Sequence, residues 1–581
     1  MQANDLRRKI SGFDYMLKQL DLQSAVGRDA LSGLVWHGPG QEEGLFVELG
    51  RVECLKRYLA SRSTVPLDKF KMKISQIWDI RSSFNLLLES TVDDVQLFEI
   101  KRFALLAGES CRYLSEVVQA CSFADPPCLL PDLSEVVAVL DPRGEKLPVF
   151  HVYDEYDSRL AEARKALLAL DREASLSQLQ DGRETLAGSG DMLGRDGESQ
   201  SAGGRWPDRT NQEAALHSGE NLESANNGLK SLDAAIARLQ SECQELEQHV
   251  REMLSIRLRP FVPVLKEALD AVAYWDLLVA KAGLAWKFDL VLPDILGPES
   301  LRKKDWNVSR KAAELADMVL AYEGLFHPMV KALLEAEKNR YQAVDVALAS
   351  GPCLLTGANM SGKTVLLKSL ALSQCLLQTG FLVPAAKAVM PLFDSVEILV
   401  HDGQDEKRGL SSFGAEMQRL NGVLGRLKRG ERMLLLVDEL ARTTNPSEGK
   451  AMVCAVLDAL QELPCCAMVS THYGPIPNHV RHLRVRGFRE DWALARLNPV
   501  GSARKAGENA EASGMVLPAE AERFDIGRIQ SCMDYSLVEE KPGEMPPMEA
   551  LRIASLLGFD PEVLGKARAY YDAECRDSGK E

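Results

Sequence analysis

Apolar residues recur at three- and four-residue spacing through much of the amino-terminal half of the chain. The pattern covers Gln41–Leu59 and Ile74–Ser110, and it returns over Pro260–Ala285. This spacing places apolar side chains on one face of an α-helix, so it predicts amphipathic helices. Val136–Asp141 is a short apolar run that ends in the polar turn Pro142–Glu145, and this combination predicts a strand. We therefore expect a mainly helical first half.

Two segments show the stricter alternation that is typical of coiled coils. Apolar residues from Leu160 to Ala174 are spaced by three, four, three and four positions, and a second seam runs over Leu229–Met253. Between them, Leu176–Gly228 contains no Val, Ile, Phe or Tyr, so it is predicted to be disordered. We expect an antiparallel hairpin arm with a first helix about 22 Å long. Two helices packed in a compact bundle are the alternative.

A glycine-rich stretch in the second half, GPCLLTGANMSGKT at Gly351–Thr364, has the spacing of a phosphate-binding loop. Its G-x-x-x-x-G-K-[ST] pattern falls on Gly357, Gly362, Lys363 and Thr364. Glycines let the backbone turn tightly and direct N–H groups at phosphate oxygens, and the start of the next helix also favours an anion. The lysine reaches the β- and γ-phosphates, and the threonine hydroxyl ligates Mg²⁺.

The segments that flank this loop support the same interpretation. Cys353–Leu355 is an apolar run that predicts a strand before the loop, and Val365–Leu377 predicts a buried helix after it. Asn339–Leu348 predicts a further strand upstream. A strand, a glycine-rich loop and a helix in this order are the context that a P-loop requires.

Two later strands are predicted to bring acidic and basic side chains to the same site. Met433–Val437 is entirely apolar and ends in Asp438 and Glu439. Downstream of a P-loop, the first acid is expected to hold the metal ion and the second to activate water. Cys465–Ser470 predicts another strand, and His472 follows it, where open α/β sheets bind ligands.

Smaller features are interpreted as structural. Lys69–Lys73 and Lys101-Arg102 are basic clusters that we expect on solvated helix faces. Phe46–Glu48 spells F-x-E, but its helical apolar pattern predicts a place in the core. Leu290–Pro298 is predicted to be a loop.

Composition and charge narrow the class of protein. The chain has 46% hydrophobic and 26% charged residues, which is ordinary for a globular protein. No apolar run is long enough to span a bilayer, and no signal region follows the first charges. The twelve cysteines show no paired C-x-x-C, so reduced thiols are expected rather than disulfides or a zinc site. We therefore expect a cytoplasmic protein without a membrane partner.

A net charge of -15 disfavours a generally basic nucleic-acid binder but allows a local basic stripe.

Taken together, these motifs resemble the MutS family, ATPases of mismatch repair and related DNA transactions. The resemblance covers roughly Val95–Arg568 and is strongest from Tyr341 to Tyr473. The family's TGPNMGGKS-type loop corresponds to TGANMSGKT at Thr356–Thr364. Its strand that ends in Asp-Glu, followed by G-R-G-T, corresponds to Asp438–Thr444.

The resemblance implies roles for individual residues and implies ATP and Mg²⁺ as cofactors. The catalytic residues would be Glu439, His472 and Lys363, and the metal would be held by Thr364 and Asp438. The ATP-binding residues would be Tyr341, which would stack on adenine, with Gly357, Asn359, Gly362, Lys363, Thr364, Val365 and Gln404. The signature that reaches across a dimer to the partner's γ-phosphate would be formed by Ser411, Ser412, Phe413 and Glu416.

The expected architecture is multidomain: an α-helical core or lever region with an inserted coiled-coil clamp, an α/β P-loop NTPase domain of the ABC/MutS type, and C-terminal helices. The expected boundaries are 1–154 and 260–338 for the two parts of the helical region, 155–259 for the clamp with its disordered tip at 176–228, 339–515 for the ATPase domain and 516–581 for the C-terminal segment. Pro547–Tyr570 is similar to the family's dimerisation helices, so a homodimer is expected.

Two functions stay open on the sequence alone. The first is Mg²⁺-dependent ATP hydrolysis at composite dimer sites, coupled to clamp-like binding of mismatched or branched DNA in repair or recombination. The alternative is an ATP-driven remodeller of a protein partner, such as a reactivase of a cobalamin-dependent lysine aminomutase, without DNA. The acidic balance and the short predicted arm favour the alternative. The T-x-P-x-E-G version at Thr444–Gly449 is nearer to the branch that acts on branched DNA or stalled ribosomes, although no room is expected for that branch's Smr domain.

Overall fold

The computed structural model describes residues 10–61, 64–190, 210–296, 318–358, 361–400, 412–442, 444–473, 480–489, 492, 529, 531–540 and 549–578. Within these ranges, only the backbone is described for 177–190, 210–230, 412 and 572–578.

Helices form the described amino-terminal half. They are α1 (Phe13–Lys18), α2 (Ala25–Ala30), α3 (Glu42–Leu59), α4 (Val65–Ile74), α5 (Arg81–Glu89), α6 (Asp94–Ala120), α7 (Ser134–Leu140), α8 (Ser158–Gly190), α9 (Thr210–Leu258) and α10 (Val262–Lys287). The capping box that starts α6 shows how local sequence sets these bounds. The Asp93 side chain accepts the N–H groups of Val95 and Gln96, and Gln96 bonds back to the Asp93 N–H. This exchange satisfies donors that the start of a helix leaves without partners.

The prediction of a strand at Val136–Asp141 is wrong, because this segment forms α7. Its buried residues Val136, Val139 and Leu140 follow the helical spacing of three and four positions and pack against α6. The short apolar run before a turn suggested a strand, but strand propensity depends on context, and packing against a neighbouring helix outweighs it here.

The prediction of a solvated face for Lys101 is also wrong. Its side chain is 0% exposed and lies 3.1 Å from the carboxylate of Asp141, which is 1% exposed. The Lys101 ammonium also donates to the Tyr153 hydroxyl at 3.0 Å. Buried charges are tolerated when they are paired and hydrogen-bonded, and such pairing between residues 40 positions apart has no local sequence signal.

The buried pair should make Asp141→Ala strongly destabilising, by ~3–5 kcal/mol, because it leaves the Lys101 charge buried without its partner. Burial raises the pKa of Asp141, but the Lys146 N–H and the Lys101 ammonium together hold it below its ordinary value. The folded state therefore binds fewer protons, so this contribution is complete above the unfolded pKa of about 3.9 and is lost as the pH falls through the folded pKa.

Urea denaturation followed by circular dichroism measures both effects. Glu145→Ala is the matched control, since Glu145 is exposed and its ion pair with Arg143 is 4.0 Å long. We expect it to cost less than about 1 kcal/mol. A similarly small loss for Asp141→Ala would contradict the prediction.

Phe46 does not lie in the core, as its pattern suggested, but is 54% exposed. The buried face of α3 is formed by Leu45, Leu49, Val52 and Leu55, and Phe46 falls on the other side of the helix. The adjacent Leu45 takes the core position that the apolar pattern assigned to this segment.

The two heptad seams lie in the paired helices α8 and α9, which together are called the arm below. They pack against each other, and near their base Arg164 bonds to Glu247 at 2.7 Å. α8 has 33 residues, so it is about 50 Å long rather than 22 Å. Helical backbone continues through 176–190 and from Thr210, within the stretch predicted to be disordered, and 191–209 lies outside the described residues. These stretches mix good helix formers such as Leu, Gln, Glu and Ala with poor ones such as Gly and Asn, so helix propensity gives no clear indication of a helix here.

The described strands of the second half form two β-sheets. The four-stranded sheet has the order β1 (Asp294–Leu296), β5 (Lys387–Pro391), β2 (Met318–Leu325) and β3 (Val344–Ala349). The six-stranded sheet has the order β10 (Met533–Glu539), β9 (Arg481–Phe488), β4 (Gly351–Thr356), β8 (Cys465–Ser470), β7 (Met433–Val437) and β6 (Ser395–Leu399). Its strands pair in parallel except β10, which is antiparallel to β9.

The helices that the structure describes in this half are α11 (Pro328–Ala336), α12 (Lys363–Gln378), α13 (Ser412–Lys428), α14 (Pro446–Gln461), α15 (Glu549–Leu556) and α16 (Pro561–Ser578). α12 follows the P-loop and is anchored at its far end to the helical half. There the His37 N–H donates to the Gln378 carbonyl at 2.8 Å, and the Gln378 amide donates back to the His37 carbonyl at 2.6 Å. No helix among the described residues is long and apolar enough to cross a bilayer.

The strands and the helix predicted around the P-loop motif and the acidic motif are confirmed as β4, α12, β7 and β8. Leu290–Pro298, predicted to be a loop, contains β1, which pairs with β5. β10 lies in the segment 516–581 that was expected to be helical, yet it extends the six-stranded sheet. Both strands form through partners that are distant in sequence, so a local pattern gives little indication of them.

Candidate functional site

The P-loop leaves the carboxyl end of β4 and leads into α12. Gly357 and Gly362 have φ angles of 146° and 82°, in the region that side chains rarely adopt. A Cβ at Gly357 would also lie 2.9 Å from the Ser361 hydroxyl. The two glycines are therefore required by the path of the backbone, as the motif predicts.

Lys363 begins α12 and folds back over this loop. Its ammonium donates to the carbonyls of Gly357 and Ala358 at 2.7 Å and 3.0 Å, and its side chain is buried. The lysine therefore places a positive charge inside the loop, where a phosphate group would lie. Val365 lies in the first turn of the same helix.

Thr364 and Asp438 meet although 74 residues separate them. The threonine hydroxyl donates to one Asp438 oxygen at 2.6 Å, and the hydroxyl of Ser470 donates to the other at 2.7 Å. Ser470 also accepts the Glu439 N–H at 2.8 Å, so it fixes both acidic residues. Sequence reasoning missed Ser470, although it is a polar residue at the end of an apolar strand, directly before Thr471.

Glu439 lies between two basic side chains. His472 Nε2 is 2.5 Å from one carboxylate oxygen, and Arg442 donates to the other at 2.5 Å. Burial raises the pKa of Glu439, but the two basic neighbours outweigh it and hold the pKa below its ordinary value. Glu439 is therefore ionised at neutral pH and held from both sides. Arg442 is a neighbour that the sequence did not single out.

Tyr341, which the resemblance assigned to adenine, contacts His327. The His327 N–H donates to the Tyr341 hydroxyl at 2.9 Å, and His327 Nε2 lies 3.3 Å from the Ser11 carbonyl. Burial lowers the pKa of His327 to about 4, so the ring is neutral at pH 7. Its burial and its backbone bond to the Tyr341 hydroxyl indicate a structural role for His327.

Tyr535 in β10 was not predicted as a site residue but lies directly beside the P-loop. A Cβ at Gly362 would be 3.0 Å from its ring. The Tyr535 N–H donates to the Gln342 side chain at 3.2 Å, and Gln342 donates to Asp534 at 2.9 Å. Gln342 follows Tyr341, so the bonds to β10 connect the two aromatic residues. The alternation of apolar residues in MDYSL was the signal that could have predicted this strand.

The predicted signature is described in part. Asn359, Gln404 and Ser411 lie outside the described residues, and the side chain of Ser412, which begins α13, is not described. Phe413 packs against the apolar core around β7 and α14. Glu416 accepts the Ala441 N–H of its own chain at 3.0 Å, although the resemblance placed it with residues that act on a partner subunit.

The structure thus brings together Lys363, Thr364, Asp438, Glu439 and His472. They follow or flank the carboxyl ends of the parallel strands β4, β7 and β8, which pair side by side. This is the edge at which open α/β sheets bind ligands. The arrangement offers the Lys363 ammonium for phosphate, oxygen ligands for a metal ion from Thr364 and Asp438, and the Glu439 carboxylate next to them.

Comparisons with known proteins agree with this geometry. The family model described as MutS domain V matches residues 353–489, which include the P-loop and both acidic residues. The endonuclease MutS2 of Leuconostoc citreum is 25% identical over 84% of this chain and 53% of its own length. The endonuclease MutS2 of Thermomicrobium roseum is 28% identical over 66% of this chain and 47% of its own length. The DNA mismatch repair protein MutS of Thermus thermophilus is 28% identical over 56% of this chain and 38% of its own length. The chain thus spans about half or less of the length of these relatives.

Proposed function

Since the chain belongs to the MutS family, we propose that it hydrolyses ATP with Mg²⁺ at composite sites of a homodimer and couples hydrolysis to DNA binding by its helical arm. The observation that carries the proposal is the contact of Thr364 with Asp438 at 2.6 Å, beside the Glu439–His472 pair. It joins the P-loop to the acidic motif in one site.

The residues present fit a magnesium ion. Thr364 and Asp438 supply a hydroxyl and a carboxylate oxygen, which are hard oxygen ligands of the kind Mg²⁺ prefers. Among the described residues, no group of three or more His, Cys, Asp or Glu could hold a metal ion. Two protein ligands suit Mg²⁺ because it keeps several waters and binds substrate phosphates. When bound, the ion would neutralise charge on the phosphates.

Each side chain of the site would have a separate role in binding or hydrolysis. Lys363 would bind the β- and γ-phosphates from within the loop. Glu439 would accept the proton of the attacking water, and His472 would hold the carboxylate in place through its Nε2 contact. Tyr535 and Tyr341, which Gln342 connects, would line the nucleotide site on the β10 side of the P-loop, whereas the acidic residues lie on the β7 side.

The homodimer part of the proposal rests on the resemblance and on the C-terminal helices. α15 and α16 and the turn between them leave Leu557, Phe559 and Val563 exposed, and Leu564 is buried. An apolar surface of this kind is typical of an association surface. Two symmetric copies would place the signature at the start of each α13 against the P-loop of the other copy.

The arm is the proposed DNA-binding element, and its greater length supports a clamp. A second candidate, the ATP-driven remodeller of a protein partner, is favoured by the charges at the arm's base. Arg164 pairs with Asp154 and Glu247, and Arg251 pairs with Asp94 and Glu247. These arginines already have carboxylate partners, which leaves less positive charge for phosphates.

A branched-DNA binding measurement separates the two candidates. We expect a fluorescent four-way junction to bind, with log Kobs falling linearly with log[salt] by about 0.9 for each phosphate neutralised. Fluorescence anisotropy at several salt concentrations gives this slope. No binding even at low salt would favour the protein partner instead.

The control is a variant in which residues 168–242 are replaced by a short Gly/Ser turn. It keeps the Arg164–Glu247 pair at the base of the arm, so the helical region should still fold. We expect ATP binding to be unchanged and the DNA affinity to be lost. DNA binding that survives the replacement would assign it to another surface.

A further inference from the structure

The loop after the two acidic residues has an unusual backbone. Glu439 and Ala441 have φ angles of 53° and 62°, in the left-handed region that residues other than glycine seldom adopt. Such conformations persist when the surroundings hold them, and they often occur at functional sites. The contacts that hold this loop therefore also hold the backbone from which the Glu439 side chain extends.

Ala441 is held at both of its backbone polar groups. Its N–H donates to Glu416 Oε1 of α13 at 3.0 Å, and its carbonyl accepts the Tyr473 hydroxyl at 2.8 Å. Ala441 is fully buried, so losing the Glu416 bond would leave its N–H inside the protein without that acceptor. The carbonyl also accepts the Thr444 N–H at 3.4 Å, so the Tyr473 hydroxyl is the shorter of its two donors. The loop is thereby joined to α13 on one side and to the segment after β8 on the other.

Gly449 in the first turn of α14 leaves room for the second contact. A Cβ at this position would lie 2.4 Å from the Tyr473 hydroxyl oxygen and 2.6 Å from the ring carbon that carries it. No side chain fits between α14 and Tyr473, so a glycine is required here. The position of Tyr473 is thus set from two directions, by α14 and by Ala441.

We propose that Glu416 and Tyr473 are positioning residues that fix Ala441 and thereby hold Glu439, so that α13 and the catalytic loop of one chain move together. The proposal rests on the function proposed above and deepens it. In the proposed dimer, α13 begins at the partner's nucleotide, so the Glu416 bond would connect that nucleotide to the subunit's own Glu439. Occupancy of one site would then affect hydrolysis at the other.

Hydrogen–deuterium exchange of the nucleotide-free protein tests the contact directly. Glu416→Ala should accelerate exchange of the Ala441 amide by about tenfold, since a bond to a charged acceptor is lost. Glu416→Gln keeps an acceptor oxygen and should restore most of the protection. The Leu440 amide donates to the Ser470 carbonyl at 3.2 Å and serves as the internal reference.

The kinetic test uses Glu416→Ala and Tyr473→Phe, which removes only the hydroxyl. Both should lower kcat for ATP by about tenfold or more and leave the Kd for ATP within about twofold, because a displaced base affects the chemical step rather than binding. Glu416→Gln should recover kcat. The Tyr473→Phe variant keeps the proposal testable if Glu416→Ala does not fold.

Different results would overturn the proposed function and the positioning role. A wild-type protein that binds no ATP overturns the proposed function, and with it the coupling of the two sites. Exchange at Ala441 that is unchanged in both Glu416→Ala and Tyr473→Phe, or accelerated equally at Leu440, overturns the positioning role itself. So does a change in ATP affinity as large as the change in kcat.

Discussion

Replacing Glu439 with Gln should lower the rate of ATP hydrolysis by about 10²–10⁴-fold while ATP still binds, because an amide cannot accept the proton of the attacking water. The Gln side chain has nearly the same shape as Glu. Its amide oxygen can still accept one of the two bonds that Arg442 and His472 make to the carboxylate. Lys363 and the Thr364–Asp438 contact do not involve Glu439, so the phosphate and metal ligands should be unaffected.

Phosphate release under saturating ATP and Mg²⁺ measures the hydrolysis rate, and a fluorescent ATP analogue measures binding. Glu462→Gln is the matched control, since it is the same chemical change at an exposed residue after α14. It should hydrolyse ATP at the wild-type rate. Wild-type turnover by Glu439→Gln would mean that another group takes the proton.

The nucleotide site was predictable because each of its motifs lies in a short run of consecutive residues. A strand, a glycine-rich loop and a helix occupy consecutive residues from Gly351 to Gln378, and the apolar runs of β7 and β8 end where their polar residues begin. The parallel pairing of the strands then brings their carboxyl ends together. The P-loop and the acidic motif could therefore be assigned to one site without a structure.

The contacts that hold this site in place were not predictable in the same way. Glu416 reaches Ala441 across 25 residues, and Gln342 reaches Tyr535 across 193. Neither pair has a pattern in the sequence, because their meeting depends on how α13 and β10 pack. The buried Lys101 was mistaken for a surface residue for the same reason, since its partner lies on a different element.

For the helical arm, the pairing of the helices was predictable but their length was not. Its heptad seams correctly predicted two paired helices, but the scarcity of apolar residues after Leu176 suggested disorder where the backbone continues as a helix to Gly190. Hydrophobic periodicity detects packing, whereas a helix that extends beyond its packed part depends on propensity. The short predicted arm had favoured a protein partner, and the observed length removes that argument.

Mixing two inactive variants should restore ATP hydrolysis, because the proposed sites are shared between subunits. One parent carries Ser411→Ala and Ser412→Ala and keeps Lys363, and the other carries Lys363→Ala and keeps its serines. Neither homodimer has a complete site, since each lacks either every P-loop lysine or every signature hydroxyl. In a mixed dimer, the intact P-loop of one subunit faces the intact signature of the other.

We expect ATP hydrolysis to reappear, at no more than about half of the wild-type rate per mixed dimer, since only one of its two symmetric sites is complete. The rate is measured after the parents, carrying different affinity tags, are denatured, refolded together and purified through both tags. The matched control pairs the serine variant with a chain that combines Lys363→Ala, Ser411→Ala and Ser412→Ala, which supplies no intact signature. If doubly tagged dimers form and stay inactive, or if a dilute monomer hydrolyses ATP at the full rate, the serines act within their own subunit or not at all. Activity only in the first mixture would assign the γ-phosphate contact to the partner subunit.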